Sequence, residues 1–519
     1  MFLARKNSYL LINPLRSFSV QPKAAVISNF DEEISEESWK NAKPYDSIPG
    51  PSKFGVISSF MPGGRFRGFS FPEIQTVLRK EHGIIYKIPG LFGRRDLVLL
   101  NDPKDFEVVF RTEGNFPMRR GFDTIEYFRK VHRKDKYKVT AGLLNEHGEA
   151  WWDLRHKVNP VMMKPQITKG YTAAVDEVST DFVKKLHNLR DSNQETPGNL
   201  FYQMNIWALE SIAYITMNMR LGLLVDKPDA SVEKIMENLK SLFDYINQLD
   251  FQPSIWKLVK TPVFRKQMQV MDELHDTISK FIDQGVKNLK DRNPNSQTSD
   301  REMAVLEKLY DIDKDVALIM VLDSLQAGVD TTSVTAFTTL YHLAANPDKQ
   351  KILRAELKKT FPDKNTPLTK ENMANMPYLR ACVKESMRLI PVIPGNLRTT
   401  GQNIVIKGYQ IPKLTDIVMY NYGLHLDDSY FPDHKAFIPE RWLRSATEKP
   451  ELTNSFTYLP FGFGSRACIG KRFAELEVES LIVRMILNYE LEWNHPPPKM
   501  EFTSINMPIG DLKLKMKDL

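Results

Sequence analysis

Residues 461–470 read Phe461-Gly462-Phe463-Gly464-Ser465-Arg466-Ala467-Cys468-Ile469-Gly470. Three glycines in ten residues let a backbone approach something flat and adopt positive φ. Arg466 is a rigid donor fork suited to a carboxylate. Cys468 stands among backbone amides just ahead of a helix expected to start near Lys471. Such amides and a helix N-terminus stabilise a thiolate. A thiolate in a glycine loop beside an arginine suits the iron of a haem. The bland alternative is a glycine turn around a buried free thiol. A phosphate-binding loop fails twice. Counting back from Gly470-Lys471, Ser465 holds the place of the first glycine, and Arg472 follows Lys471 where Ser or Thr is needed.

The surrounding chain has 519 residues, enough to bury a deep core and enclose a cofactor. With 42 % hydrophobic and 26 % charged residues it is globular in composition. Two cysteines exclude a disulfide framework and a Cys-rich zinc or iron–sulfur site. Net charge is +7, and Arg5, Lys6, Arg16 and Lys23 supply four of those charges in the first 30 residues, where no acid occurs. The small excess left in the body is no nucleic-acid footprint. A basic, serine-bearing, acid-free leader has the composition of a mitochondrial transit peptide. This reading divides the chain into a transit peptide at 1–18, a linker at 19–47 and one folded domain at 48–519. The longest uncharged run of the leader, Asn7–Leu15, contains Pro14 and falls short of the roughly 20 apolar residues a spanning helix needs.

Periodicity predicts short strands at Ile84–Ile88 and Val98–Leu100, then mostly helix beyond about residue 140. Helical patterns run over Gly198–Arg220, Ser231–Leu249 and Arg265–Leu289, with a polar loop at Asn293–Asp300. Gln252-Pro253-Ser254-Ile255-Trp256 reads as an apolar loop tip, either packed or dipping into a membrane surface. Lys314–Ala345 is an unbroken helical pattern stopped by Asn346-Pro347, about 48 Å long at 1.5 Å per residue. Short strands return at Asn403–Ile406, Gly408–Ile411 and Thr415–Met419. The fold class is mainly α with a minor β region.

Several clusters gain weight from their order. Ala327-Gly328-Val329-Asp330-Thr331-Thr332 places glycine and threonine inside a core helix, where both are poor choices, and a locally broken rule often marks a site. Its plain reading is hydroxyl back-bonding to the i−4 carbonyl. Glu385 and Arg388 lie at i and i+3 on one helix face, and Pro439-Glu440-Arg441-Trp442 follows. Glu126–Arg129 has the same spacing and reads as a surface pair. Trp151 and Arg155 share a face at i and i+4, and Trp152 reads as packing. Cys382 belongs to an apolar stripe. Arg119–Lys138 is a basic run that reads as a mobile substrate-entrance loop. The histidines show no metal-binding spacing.

Phe461, Gly464, Arg466, Cys468 and Gly470 match the haem-binding signature of the cytochrome P450 family, which the chain resembles over essentially all of residues 45–515. Tyr45-Asp46-Ser47-Ile48-Pro49-Gly50-Pro51, Phe60-Met61-Pro62-Gly63-Gly64 and Met376-Pro377-Tyr378-Leu379-Arg380-Ala381 resemble the insect family-12 branch of its mitochondrial clan. The resemblance implies a triangular helical prism with a long central helix crossing over haem b, whose iron takes Cys468 as axial ligand. It implies that Trp151, Arg155 and Arg398 hold the haem propionates, and that Glu385, Arg388 and Arg441 form a buried ion triad. Gly328 would make room over the iron, Thr331 would hydrogen-bond dioxygen and Asp330 would govern proton delivery. Ala327, Val392 and Ile393 would face substrate.

No flavin or nicotinamide motif is present, so NADPH enters only indirectly. The resemblance implies an adrenodoxin-like ferredoxin and its NADPH reductase, docked on Arg380, Lys384, Lys471 and Arg472. It further implies oxidation of a lipophilic small molecule by O2 on the matrix side of the mitochondrial inner membrane, with peripheral membrane contact. Detoxification of foreign compounds such as insecticides is the first expectation. An ecdysteroid or other steroid hydroxylase is the alternative, and a haem-thiolate isomerase or peroxide-using enzyme a more distant one.

Overall fold

The computed structural model describes residues 36–225, 229–290, 303–444 and 454–519. The leader expected at 1–18 and the polar loop Asn293–Asp300 lie outside the described residues. The central helix spans Lys314–Ala345, the bounds its pattern predicts. Asp313 caps its start by accepting from the N–H groups of Asp315 and Val316 at 3.1 and 3.2 Å, and Pro347 denies it a continuing donor. Its apolar residues lie all round, the pattern of a fully buried helix. It packs against helices Leu200–Met217, Val305–Tyr310, Pro377–Leu389 and Lys471–Asn488. Leu200–Met217 is itself buried at every position but Tyr202. These helices build the main core, which also takes in Cys382.

The minor β region starts with β1 (Ile85–Ile88) and β2 (Leu97–Leu100). Then come β3 (Asn396–Thr399), β4 (Ile404–Ile406), β5 (Tyr409–Ile411) and β6 (Asp416–Met419). One sheet has the order β1-β2-β6-β3, with β2 and β6 parallel and the other pairs antiparallel. It closes a second core around Val98, Leu100, Phe106, Ile417 and Met419. Each such apolar side chain taken out of water contributes about 1.5–3 kcal/mol. At the C-terminus, Tyr489–Glu492 pairs with Lys515–Asp518, and Lys499–Phe502 with Asn506–Ile509. Periodicity did not predict these four strands, nor β3.

Three expectations need correction. The linker expected at 19–47 is already structured at its end: Glu36–Asn41 is a helix, Lys43 exchanges backbone hydrogen bonds with Gly408 and Gln410, and the Gln410 side chain donates to Trp39 O. In the loop around residue 256, Trp256 is no exposed tip. It is buried, stacks on Phe264 at 5.1 Å and donates to Leu249 O, while Ile255, Leu258 and Val259 are the exposed apolar residues.

The third correction concerns the basic run Arg119–Lys138, which is anchored. Arg120 reaches Asp416 at 2.9 Å and Arg133 reaches Asp272 at 2.6 Å. Arg129 makes no pair with Glu126, which meets Lys130 instead. It is buried, pairs with Asp323 of the central helix at 2.6 Å and donates to Ala141 O at 2.8 Å. Gly142 makes the room: at φ +80°, a Cβ there would stand 2.5 Å from both Arg129 Nη1 and Asp323 Oδ2. A surface reading failed because the partner lies 194 residues away.

Removing one member of a buried pair leaves the other charge uncompensated. Arg129→Ala or Asp323→Ala is expected to lower the free energy of unfolding by about 3–5 kcal/mol, measured by chemical denaturation. The double variant Arg129→Met with Asp323→Leu is expected to recover much of that loss.

Candidate active site

The cysteine loop is folded by its own backbone. Cys468 N–H donates to Phe461 O at 2.9 Å and Ala467 N–H to Gly464 O at 3.1 Å. Gly462 and Gly464 sit at φ +71° and +73°, the left-handed region that costs glycine nothing. Gly470 needs no such freedom; at φ −85° it caps the helix Lys471–Asn488. Cys468 is deep in the molecule, yet its side chain is not covered by protein atoms. Burial pushes its thiol up, while the Gly470 N–H, the Arg155 and Arg119 guanidiniums and the Lys471 N–H act to lower it.

Arginine converges on this loop from four separate segments. From the helix Gly148–Met162, Arg155 donates to Ala467 O at 2.9 Å. From β3, Arg398 donates to Phe463 O at 3.0 Å and pairs with Glu113. Arg466, in the loop itself, donates to Pro117 O and Glu146 O, contacts His147 Nδ1 at 3.3 Å and lies 4.4 Å over the Trp151 ring. Arg119 is the fourth, in electrostatic contact with Arg398, Cys468, Arg155 and Glu113. Burial and the neighbouring guanidiniums push Arg466 down to about 8 and Arg119 to about 10; burial alone pushes Arg155 to about 10.

Three of these guanidiniums, those of Arg119, Arg398 and Arg466, act on one carboxylate, Glu113, while Arg155 faces Cys468. Among the described residues, Arg119 Nε, Arg155 Nε and Arg466 Nη1 are buried with no hydrogen-bond partner. Uncompensated buried cations are costly, so the cluster is built to receive anions. A flat group with two carboxylates, held by a thiolate, meets each demand. The residues present therefore fit a haem b: two propionates for the arginines, and an iron for Cys468. Glu113 and Arg119 were not anticipated. Arg119 is hidden in a basic run, and Glu113 belongs to no motif.

On the central helix, Ala327 is exposed and Thr331 partly so, whereas Asp330 is buried toward the helix Leu200–Met217. A Cβ at Gly328 would make an ordinary contact with Ile212 of that neighbouring helix, at 3.4 Å. The Thr331 hydroxyl donates to Ala327 O at 2.8 Å, the back-bond of the plain reading, and Ser333, Thr335, Thr338 and Thr339 do the same. The Asp330 carboxyl accepts from Asn205 Nδ2 at 2.8 Å, and burial pushes it up to about 6. Ile393 is exposed, while Val392 is partly buried against the main core.

Glu385 is the most fully used carboxylate of the site. It accepts from Arg388 at 2.8 and 2.9 Å, Arg441 Nε at 3.0 Å, Trp442 Nε1 at 2.8 Å and Ile438 N at 3.1 Å. Arg388 also donates to the carbonyls of His425, His434 and Ala436. This welds the helix Pro377–Leu389 to the stretch that leads into the cysteine loop.

The four residues expected at the ferredoxin surface divide into two kinds. Arg380 pairs with Glu479 at 3.2 Å and donates to Met373 O and Ala374 O, and Arg472 donates to Met163 O. Lys384 and Lys471 are exposed; Lys384 lies 6.0 Å from the Trp442 ring and Lys471 is 3.9 Å from Glu475. Among the described residues no helix is long and apolar enough to cross a membrane, and no group of three or more His, Cys, Asp or Glu could hold a metal ion.

Comparison with known proteins agrees with this geometry. The cytochrome P450 family profile matches residues 56–516. The chain is 41 % identical over 491 residues to the probable mitochondrial cytochrome P450 12b2 of Drosophila melanogaster, covering 93 % of this chain and 91 % of that one. It is 39 % identical over 468 residues to the mitochondrial cytochrome P450 12b1 of Drosophila acanthoptera, covering 88 % and 87 %. A crystal structure of a cytochrome P450, CYP102L1, superposes with a TM-score of 0.70 at 21 % identity over 87 % of this chain and 95 % of that one, a likeness of fold. With fold, cysteine loop and relatives in agreement, the chain belongs to the cytochrome P450 family of haem-thiolate monooxygenases.

Proposed function

We propose that this enzyme is a mitochondrial monooxygenase of lipophilic foreign compounds, fed by a ferredoxin and its NADPH reductase. One observation carries the assignment of residues: the excess of buried arginine around Cys468, which matches a dianionic group held by a thiolate. In this reading Cys468 is the axial ligand. Arg119, Arg155, Arg398 and Arg466 take the propionates, with Trp151 behind Arg466. When bound, the haem supplies the activation of dioxygen and the insertion of one oxygen atom into substrate. The protein positions and insulates that chemistry.

Three tasks fall to the chain itself. Phe461, Gly464 and Gly470 shape the loop so that the sulfur stands free of hydrogen-bonding side chains while backbone amides favour its anionic form. The Glu385–Arg388–Arg441 triad braces that loop from the side. On the opposite side Ala327 and Ile393 offer apolar surface to a lipophile. There the Thr331 hydroxyl, which donates to Ala327 O, would be the group that presents a proton to the reaction, with Asp330 as the neighbouring acid. Mitochondrial placement rests on the basic leader and on relatives named mitochondrial. A peripheral seat on the inner membrane, facing the matrix, suits Ile255, Leu258 and Val259, exposed beside Lys257 and Lys260.

Electrons come from outside the chain. Lys384 and Lys471 are the exposed cations of the expected docking face, both near Glu475, whereas Arg380 and Arg472 serve mainly to hold the fold. An acidic ferredoxin would be steered there by charge, with strong salt dependence.

Thr331→Ala is expected to keep its haem and to consume NADPH at a comparable rate while releasing hydrogen peroxide in place of product. Measuring NADPH, peroxide and product together checks this, and unchanged coupling contradicts the role. Lys384→Glu is expected to slow ferredoxin-driven turnover and flatten its salt dependence, leaving peroxide-driven turnover intact. Equal loss of both would mean damage to the helix instead of to docking.

A further inference from the structure

Asp330 is held in an unusual way for a buried carboxyl. It is 2 % exposed, and its single hydrogen-bond donor is the neutral amide of Asn205, at 2.8 Å from Oδ1. No cation faces it among the described residues. The only other charged group acting on it is Asp244, on the helix Ala230–Ile246, and that one is anionic. Two atoms are left over. Asp330 Oδ2 and Asn205 Oδ1 are both buried acceptors without a donor. Leaving one such group unpaired costs about 1–3 kcal/mol, and an ionised carboxylate without a counter-ion costs more.

A single proton removes both faults. The Nδ2–Oδ1 bond already sets the two planar groups against each other, and a neutral carboxylic acid has one O–H donor that Oδ2 can turn to Asn205 Oδ1. The amide and the acid would then be reciprocally bonded, each giving one hydrogen and taking one. Turning the amide over would set its oxygen against the carboxyl and would require a proton there as well.

We propose that Asn205 is a positioning residue that holds Asp330 as a neutral, proton-bearing acid through a reciprocal amide–carboxylic acid pair. This deepens the reading of Asp330 and Thr331 as the proton-delivering pair and rests on it. In the delivery step the O–H bond of Asp330 breaks as the Thr331 hydroxyl oxygen takes that proton and releases its own toward the substrate side. The carboxylate left behind keeps its bond from Asn205 Nδ2, and a proton drawn from solvent restores the acid. Burial without a cation raises the carboxyl to about 6, so far more of it carries a proton near neutrality than an ordinary aspartic acid would, and that proton is readily released. A lysine or arginine in place of Asn205 would fix it as a carboxylate.

The test is pH-difference infrared spectroscopy on the haem-loaded protein, with Asp330→Asn subtracted to isolate the carbonyl band of one protonated carboxyl. The wild type is expected to show that band, titrating at least one pH unit above an ordinary aspartic acid. Asn205→Leu should move the band to higher frequency, because the carboxyl loses the amide's hydrogen bonds, and Asn205→Lys should lose it and release more peroxide per NADPH. Absence of an Asp330-dependent band, or a band left at the wild-type position by Asn205→Leu, overturns the proposal. If Asn205→Lys fails to fold, the comparison of wild type with Asp330→Asn still decides whether the proton is there. The band reads the pair whether or not product forms. Unchanged coupling in Asp330→Asn would therefore strike the delivery role alone.

Discussion

More positive charge is buried around Cys468 than the chain itself can neutralise, and the rest of the structure depends on that imbalance. Arg119, Arg155, Arg398 and Arg466 arrive from four stretches of chain and find one carboxylate, Glu113, among them. Folding must bring these cations together against their mutual repulsion. It does so by spending backbone carbonyls on them: Pro117, Glu146, Phe463 and Ala467 all accept from a guanidinium. Cofactor and fold are therefore coupled, because a dianion bound there relieves a strain that the apoprotein carries.

Two rigid devices hold the imbalance in place. The Glu385 network locks the helix Pro377–Leu389 to the stretch before the cysteine loop, with each guanidinium nitrogen of Arg388 donating inside the protein. The central helix forms the other wall. The Arg129–Asp323 pair clamps it to the segment that also carries Arg119, and Leu200–Met217 packs along its far side. That neighbour supplies Asn205 against Asp330, so the helix contact that builds the wall also reaches its buried acid.

The sequence made legible what depends on neighbouring residues. The bounds of Lys314–Ala345, the positive-φ glycines 462 and 464, and the Glu385–Arg388 pair all follow from local spacing. What it hid depends on distant partners. Arg129 resembled any solvated arginine because Asp323 is far along the chain. Glu113 and Arg119 carry no motif. Asn205 did leave a trace, as a polar residue in the apolar run Met204-Asn205-Ile206-Trp207, but only the helix packing shows which acid it meets.

The central claim is that the sulfur of Cys468 binds the haem iron as a thiolate. The most direct measurement is the carbon-monoxide difference spectrum of the reduced protein beside that of Cys468→Ser at matched haem content. The account predicts the strongly red-shifted Soret band of a thiolate-ligated haem in the wild type and its loss in the variant. A wild-type spectrum without that band, or a variant that keeps it, would contradict the account.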